Sequence, residues 1–418
     1  MKTKSNYLFV AAAFVAAAML AGCSSKNAPY YDAEDGGMIS PDGKYSDATS
    51  EDYTGGGDPA TNGQGNGQGE AGRVTASEWS DLDNWLFWSN LMTSNQSDQE
   101  GNDFTSMSDY WALYTNNRVA VNATTQNGEP LYDAEITLLS NGNKLWTTRT
   151  DKNGDANLWI GFTQMTNSFD ENALTLSIKG EVAEQAVEVT RWGDEVKVNH
   201  IVYNGAAVNF GGNVNVAFIV DATGSMSDEI DFLKADLESI ISEVSASAAN
   251  TNLSTAAIFY RDEGDEYLTR VSNFDNPSTT ISFIRQQGAD GGGDYPEAVH
   301  TALETGLQKL SWAEDNSMRL AFLLLDAPPH KRDDVIASLQ KTIPQYAAKG
   351  IRIIPIAASG VDKPTEFFLR FAAITTNGTY VFITNDSGIG NDHIQATVGE
   401  TKVELLRDII VRLIAQNM

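Results

Sequence analysis

One cysteine in 418 residues excludes an internal disulfide, so the core must hold by packing alone. Cations are scarce too. The 28 Lys and Arg stand against 56 Asp and Glu, a formal net charge of −28. That excludes duplex nucleic acid as a partner, because phosphate contacts need clustered Lys and Arg. Only four histidines occur, His200, His300, His330 and His393. None has H-E-x-x-H spacing, and each reads as structural or exposed. Gly-x-Ser-x-Gly is absent, and no cysteine is available as a nucleophile. The Gly291–Gly293 run lacks the Lys-Ser/Thr of a phosphate loop. The chain therefore reads as a non-enzyme. The apolar run from Tyr7 to Ala21 is too short and too alanine-rich for a membrane span.

That run instead fits a signal peptide over 1–22, with Lys2 and Lys4 ahead of it. Its end, Leu20-Ala21-Gly22-Cys23-Ser24, resembles the lipobox of bacterial lipoproteins. The resemblance implies that Cys23 is lipidated and anchors the chain to a membrane. Ser24 after it resembles lipoproteins sorted to the outer membrane, facing either the periplasm or the cell surface. Combined acyl chains anchor strongly. Residues 23–72 are acidic and glycine-rich, with too little apolar surface to offset the entropy of ordering, so a flexible tether is expected.

Residues 73–115 hold Trp79, Trp85, Phe87, Trp88, Phe104, Tyr110, Trp111 and Tyr114. Aromatics this dense need burial. A short helix near 80–92 packed on a neighbouring domain answers that need; a carbohydrate- or peptide-binding aromatic patch is the alternative. Residues 116–204 then read as about seven short strands (118–126, 134–141, 144–151, 156–162, 174–180, 182–191 and 197–203). Asn127-Gly128, Asn141-Gly142 and Asn153-Gly154 mark turns between them. A β-sandwich is expected. The phrases Asn127-Gly128-Glu129-Pro130-Leu131 and Thr150-Asp151-Lys152-Asn153-Gly154-Asp155-Ala156 resemble the carboxypeptidase-regulatory-like, transthyretin-like sandwiches, which act mostly as spacers. The 151–155 loop lacks further oxygen ligands and reads as a plain turn.

From 213 to 418 strands alternate with helices, beginning with the apolar run Val214–Val220 and an amphipathic helix carrying Ile230, Leu233, Leu237, Ile240, Ile241 and Val244. Such alternation predicts an α/β fold, a doubly wound, mostly parallel sheet covered on both faces. Ligands bind beyond the carboxyl ends of strands in such sheets. Three loops converge there. One carries Asp221, Thr223 and Ser225 at alternate positions, the second Asp294, the third Asp326 after Leu323-Leu324-Leu325. Hard oxygen donors gathered in this way suit Mg²⁺ or Ca²⁺.

The D-x-T-x-S spacing resembles the metal-ion-dependent adhesion site of von Willebrand factor A domains. The phrases Phe218 to Met226, Tyr260-Arg261-Asp262 and Gly291 to Ala298 are closest to the branch found in hemicentin-like proteins and some alpha-kinases. The resemblance implies metal contacts from Asp221, Thr223 and Ser225, and one from Asp326 through water. It also implies a threonine on the second loop, where Asp294 stands instead. Asp294 is expected either to ligate the ion or to cap the next helix. An extra carboxylate there would reduce the need for an acidic side chain from a partner. Glu297 is expected to favour the first helical turn electrostatically, and Asp262, Glu263, Asp265 and Glu266 to form a solvated turn. The whole reads as a lipid-anchored envelope protein whose A domain binds a divalent ion and, through it, a protein or matrix ligand. The alternatives are an envelope assembly factor with a stabilising metal, and a metal-dependent hydrolase using Asp294 or Asp262 as base.

Overall fold

The computed structural model describes residues 72–94, 104–247, 251–390 and 392–418. The expected signal peptide, the lipidated Cys23 and all but the last residue of the tether lie outside them. Among the described residues, no helix is long and apolar enough to cross a membrane.

A strand β1 (Thr75–Trp79) opens the folded part, followed by helices α1 (Trp85–Thr93) and α2 (Phe104–Trp111). Eight short strands come next: β2 (Asn117–Thr125), β3 (Glu135–Ser140), β4 (Asn143–Arg149), β5 (Asp155–Trp159), β6 (Leu174–Ile178), β7 (Glu181–Val182), β8 (Thr190–Arg191) and β9 (Val198–Tyr203). They form two four-stranded sheets, one in the order β5-β2-β8 with β9 also along β2, the other β4-β3-β6-β7. Val119, Val121, Ile136, Leu138, Leu158 and Leu176 from both sheets share one buried cluster. The strand expected over 182–191 survives only as its two ends, β7 and β8. In the 151–155 loop, Asp151 accepts the backbone N–H groups of Asn153 and Asp155, both at 2.8 Å, so its carboxylate is spent on its own turn.

The third region builds the large sheet from β10 (Asn213–Asp221), β11 (Asn252–Tyr260), β12 (Thr269–Asp275), β13 (Ser317–Leu325), β14 (Arg352–Ala357), β15 (Tyr380–Ile383) and β16 (Glu404–Leu405). Between them run α3 (Ile230–Ser247), α4 (Pro277–Ile284), α5 (Val299–Gln308), α6 (Asp333–Ala348) and α7 (Lys363–Thr375), with α8 (Leu406–Asn417) closing the chain. The order is β12-β11-β10-β13-β14-β15-β1-β16. Pairing is parallel from β11 through β15, and antiparallel at β12, β1 and β16. The sheet is thus mixed, parallel only in its middle. Central strands β10 and β13 are buried along almost their whole length, which is why their sequences are nearly continuous apolar runs.

The aromatic-rich segment turns out to belong to this body. Its strand β1 pairs with β15, Ala76 opposite Ile383 and Trp79 opposite Tyr380. Its helices cover α7, whose residues from Thr365 to Thr375 are all buried. Trp88 stacks on Phe367 with centroids 5.8 Å apart, and the Trp111 indole N–H donates to the Pro364 carbonyl at 2.9 Å. Arg370, fully buried on α7, is gripped by both oxygens of Asp81 at 2.6 and 2.9 Å. Most of the aromatics serve packing, Tyr110 staying exposed, and the short helix expected near 80–92 is α1.

The small sheets attach at the amino edge of the parallel strands. Asp133 takes both terminal guanidinium nitrogens of Arg319, near the start of β13, at 3.0 and 2.9 Å. Asn157 bonds Asn377, just before β15, at 2.8 Å.

Candidate metal centre

Asp221 ends β10, and Asp326 follows β13, its parallel neighbour. Adjacent parallel strands stop together, so both carboxylates arrive at one edge. After Asp221 the chain turns sharply through a 3-10 turn at Gly224–Asp228 before α3. Asp221 Oδ1 accepts the Thr223 backbone N–H at 2.9 Å and the Thr223 hydroxyl at 2.7 Å. The hydroxyls of Thr223 and Ser225 are hydrogen-bonded at 3.2 Å. Thr223 is buried, while Ser225 reaches solvent, so the cluster opens outward on the Ser225 side.

The glycine-rich second loop lies directly against this turn. Gly224 N–H donates to the Gly291 carbonyl at 2.9 Å. A Cβ on Gly292, whose φ is +68°, would stand 2.9 Å from Glu297 Oε1 and 3.0 Å from Thr223 Cβ. Only glycine allows both the left-handed backbone and the close approach. Arg261 fastens the same corner, donating to the carbonyls of Ala222 at 3.1 Å and Gly288 at 3.0 Å.

Asp294 is exposed, and no hydrogen bond or ion pair joins it to Asp221, Thr223, Ser225 or Asp326. Nor does it cap the next helix: α5 begins at Val299, later than Pro296, and has no side-chain cap. Glu297 instead points into the cluster. Its backbone N–H is tied to the Pro328 carbonyl at 2.8 Å, and it forms a bridge with Pro329, so the second and third loops hold it from both sides. It precedes the helix and is only 2% exposed, so it does not act in the first helical turn as expected.

Three carboxylate oxygens here are buried without a hydrogen-bond partner: Asp221 Oδ2, Asp326 Oδ1 and Glu297 Oε2. Burial pushes Asp221 up to about 6, partly offset by its bonds from Thr223. Burial and then the Asp221 charge push Asp326 to about 7, with the Ser225 hydroxyl partly offsetting them. Burial, Asp221, Asp262 and Asp326 push Glu297 to about 9. Tyr260, buried beside Asp221, is raised far above the usual phenol range for the same reasons. The strongest influences on the three acids are burial, hydroxyls and other carboxylates, and no cation is among them. Buried like charges without a counter-ion are costly, and a bound cation would relieve them. Among the described residues, no three His, Cys, Asp or Glu side chains are arranged to hold a metal by themselves. The candidate donors are therefore two aspartates with two hydroxyls, an all-oxygen set that fits a hard cation.

The surrounding acids differ from the expected solvated turn. Asp262 is buried and bonded to His330 Nε2 at 2.7 Å. Asp265 turns inward to accept the Gly292 N–H at 2.9 Å. Glu263 and Glu266 stay exposed. Glu229, 1% exposed, accepts the Ser359 N–H at 3.0 Å and lies 3.1 Å from His393. Sequence reasoning missed Glu229 and Glu297. The available signal was an acid set immediately before an apolar helix face, which reads equally well as an exposed first turn.

A family model described as von Willebrand factor A domain matches residues 215–363. Among curated proteins, an ariadne-like RING finger protein of Acanthamoeba polyphaga mimivirus is 28% identical over 191 residues, 41% of this chain and 19% of that one. The alpha-protein kinase vwkA of Dictyostelium discoideum is 27% identical over 201 residues, 47% of this chain and 31% of that one. The chain thus spans less than a third of either relative. Among solved structures, the open form of the pilus adhesin SpaC from Lactobacillus rhamnosus GG matches with a TM-score of 0.36 at 12% identity, over 49% of this chain and 30% of that one. The SpRpn10 VWA domain matches at 0.33 and 12%, over 47% of this chain and 93% of that one. The family match covers the strands and loops that carry Asp221, Glu297 and Asp326, and the chain carries a von Willebrand factor A domain.

Proposed function

We propose that this chain is a lipid-anchored protein of a bacterial envelope whose A domain binds Mg²⁺ or Ca²⁺ and, with the ion in place, a protein or matrix partner. Asp221, Thr223, Ser225 and Asp326 would hold the ion. A divalent cation there supplies Lewis acidity and an open coordination position for a partner's oxygen. Asp294, exposed beside them, would stand at the rim of this site. The two small sheets, a transthyretin-like sandwich by resemblance, act as a spacer on the opposite edge, and Cys23 and the glycine-rich segment tether the whole.

One observation carries the reading: two buried aspartates on adjacent strand ends, each with an orphaned oxygen, are grouped with two hydroxyls and show no cation among their strongest influences. A stabilising metal without a partner would use the same donors. Ser225 favours partner binding, because its exposure opens the cluster to solvent. Titration calorimetry with Mg²⁺ and Ca²⁺ tests the ion. The expected result is one site per chain, lost in Asp221→Ala and in Asp326→Ala; equal binding by wild type and Asp221→Ala would refute it. Chelator-sensitive cross-linking in intact cells tests the partner.

A further inference from the structure

We propose that the seam between the small sheets and the large sheet binds a short zwitterionic peptide, its carboxylate on Arg118 and Arg352 and its ammonium on Asp83 and Asp155. The site lies at the amino edge of the parallel strands and does not depend on the metal reading.

A cavity of about 600 Å³ opens along this seam, a volume in the range of small-molecule sites. Strands β2, β5 and the start of β9 form one wall; β14, residues 377–379 and the end of α8 form another. Arg118, on β2, is 6% exposed, and its guanidinium lies over the Trp85 ring at 5.2 Å. Its Nε donates to Asn157 Oδ1 at 2.7 Å and its Nη1 to the Leu82 carbonyl at 3.0 Å. Among the described residues nothing accepts from Nη2, and no carboxylate forms an ion pair with this side chain. Burial lowers Arg118 to about 10, with Asp83 acting against that, so it stays charged at neutral pH. Arg352, on β14, makes one bond, from Nη1 to Asn417 Oδ1, and it too has no carboxylate partner among the described residues. The chain holds 56 acids for 28 Lys and Arg, so acids to pair with them were not scarce.

The acids of the same walls fall into two groups. Glu78 pairs with Arg412 at 2.7 Å, and Asp151 is spent on its own turn. Asp83 and Asp155 are exposed and in no ion pair among the described residues. Asp83 acts on Arg118 through space, as Arg352 does on Asp155, yet neither pair closes to ion-pair distance. A crevice fills with water whatever its lining. This one also holds charges of both signs apart, each with hydrogen-bonding capacity left over. A bare anion would meet Asp83 and Asp155, and a bare cation would meet two guanidiniums and the exposed Lys152. A molecule bearing both charges complements both. Between its ends, Val196 and Val198, 37% and 39% exposed, offer apolar contact, and the exposed amides of Asn153 and Gln416 match peptide donors and acceptors. No aromatic ring of the described residues lines the cavity, so a sugar face has nothing to stack on.

Titration calorimetry on the full chain at neutral pH, with chelator present, tests this with four probes: trialanine, N-acetyl-trialanine, trialanine amide and the neutral glycan cellotriose. Trialanine should bind saturably at one site per chain. Blocking either end should weaken it roughly tenfold, because each end loses a charge-assisted contact. Arg352→Gln should weaken trialanine and its acetylated form by a similar factor and leave the amide unchanged. Asp83→Asn with Asp155→Asn should do the reverse, weakening trialanine and the amide and sparing the acetylated form. These two aspartates are exposed, so that pair reads the site even if Arg352→Gln loses stability. Glu184→Gln, exposed on the small sheets and outside the cavity, should change nothing. Absence of saturable trialanine binding overturns the proposal. Equal binding of the free and the blocked peptides also overturns it, and so does tighter binding of cellotriose, which would mark a glycan site.

Discussion

Removing the charge of Asp326 should stabilise the metal-free protein at neutral pH and abolish its response to divalent ions. Asp326 is 4% exposed, and burial beside Asp221 raises its pKa from 3.8 to about 7. A carboxyl whose pKa is higher folded than unfolded favours the fold most where both states are protonated, below about pH 4. That contribution disappears as pH climbs through about 7. The rise corresponds to about 4 kcal/mol. Asparagine keeps the shape and removes the ionisation. In chelator, Asp326→Asn should therefore match wild type only at or below about pH 4 and exceed it increasingly above that, by up to about 4 kcal/mol near pH 8. Urea denaturation across that window, at constant m-value, reads the difference directly. Adding Mg²⁺ or Ca²⁺ near pH 8 should restore the wild type by about 2.7 kcal/mol at a hundredfold excess over Kd, and leave the variant unmoved. Ion affinity should also rise between about pH 5 and pH 8, because the ligands must lose their protons first. A variant less stable than wild type near pH 8 in chelator, or one with the same pH slope, would refute the reasoning.

Two further perturbations probe the supports of the site. Gly292→Ala forces a Cβ onto a left-handed backbone against Glu297 and Thr223, and should cost about 1–2 kcal/mol and weaken ion binding. Gly293→Ala, with ordinary φ and nothing within 4 Å, should be near neutral in the same denaturation and calorimetry series. Arg370→Met strands Asp81 as a buried charge without its counter-ion and leaves Glu366 with Lys363 alone, and should cost about 3–5 kcal/mol in urea unfolding while leaving ion affinity per folded molecule unchanged.

Some of this architecture was legible in the sequence because it is local. Strands β10 and β13 show as apolar runs, and α3 shows as a stripe from Ile230 to Val244, since each pattern is set by which faces are covered. Asp221, Thr223 and Ser225 could be grouped by spacing within one turn, and Asp326 by its place after an apolar strand. What stayed hidden depends on distant partners. Thr75–Trp79 has no strand signature of its own; it is a strand because β15, some 300 residues later, offers it an edge. The complete burial of α7 follows from Trp88, Trp111 and Asp81, which lie far upstream.

Glu297 shows the same division inside the site. From sequence, Pro296 marks a helix start, and a following glutamate favours the first helical turn electrostatically. In the fold the chain stays extended there, because the Pro328 carbonyl captures the Glu297 amide and delays the helix to Val299. That single long-range bond converts a helix-favouring acid into a third buried carboxylate beside Asp221 and Asp326. Asp294, three residues earlier, has no such anchor and stays in solvent. The third carboxyl that distinguishes this edge from a two-aspartate site is therefore set by backbone pairing between two loops, and residue spacing alone could not have assigned it.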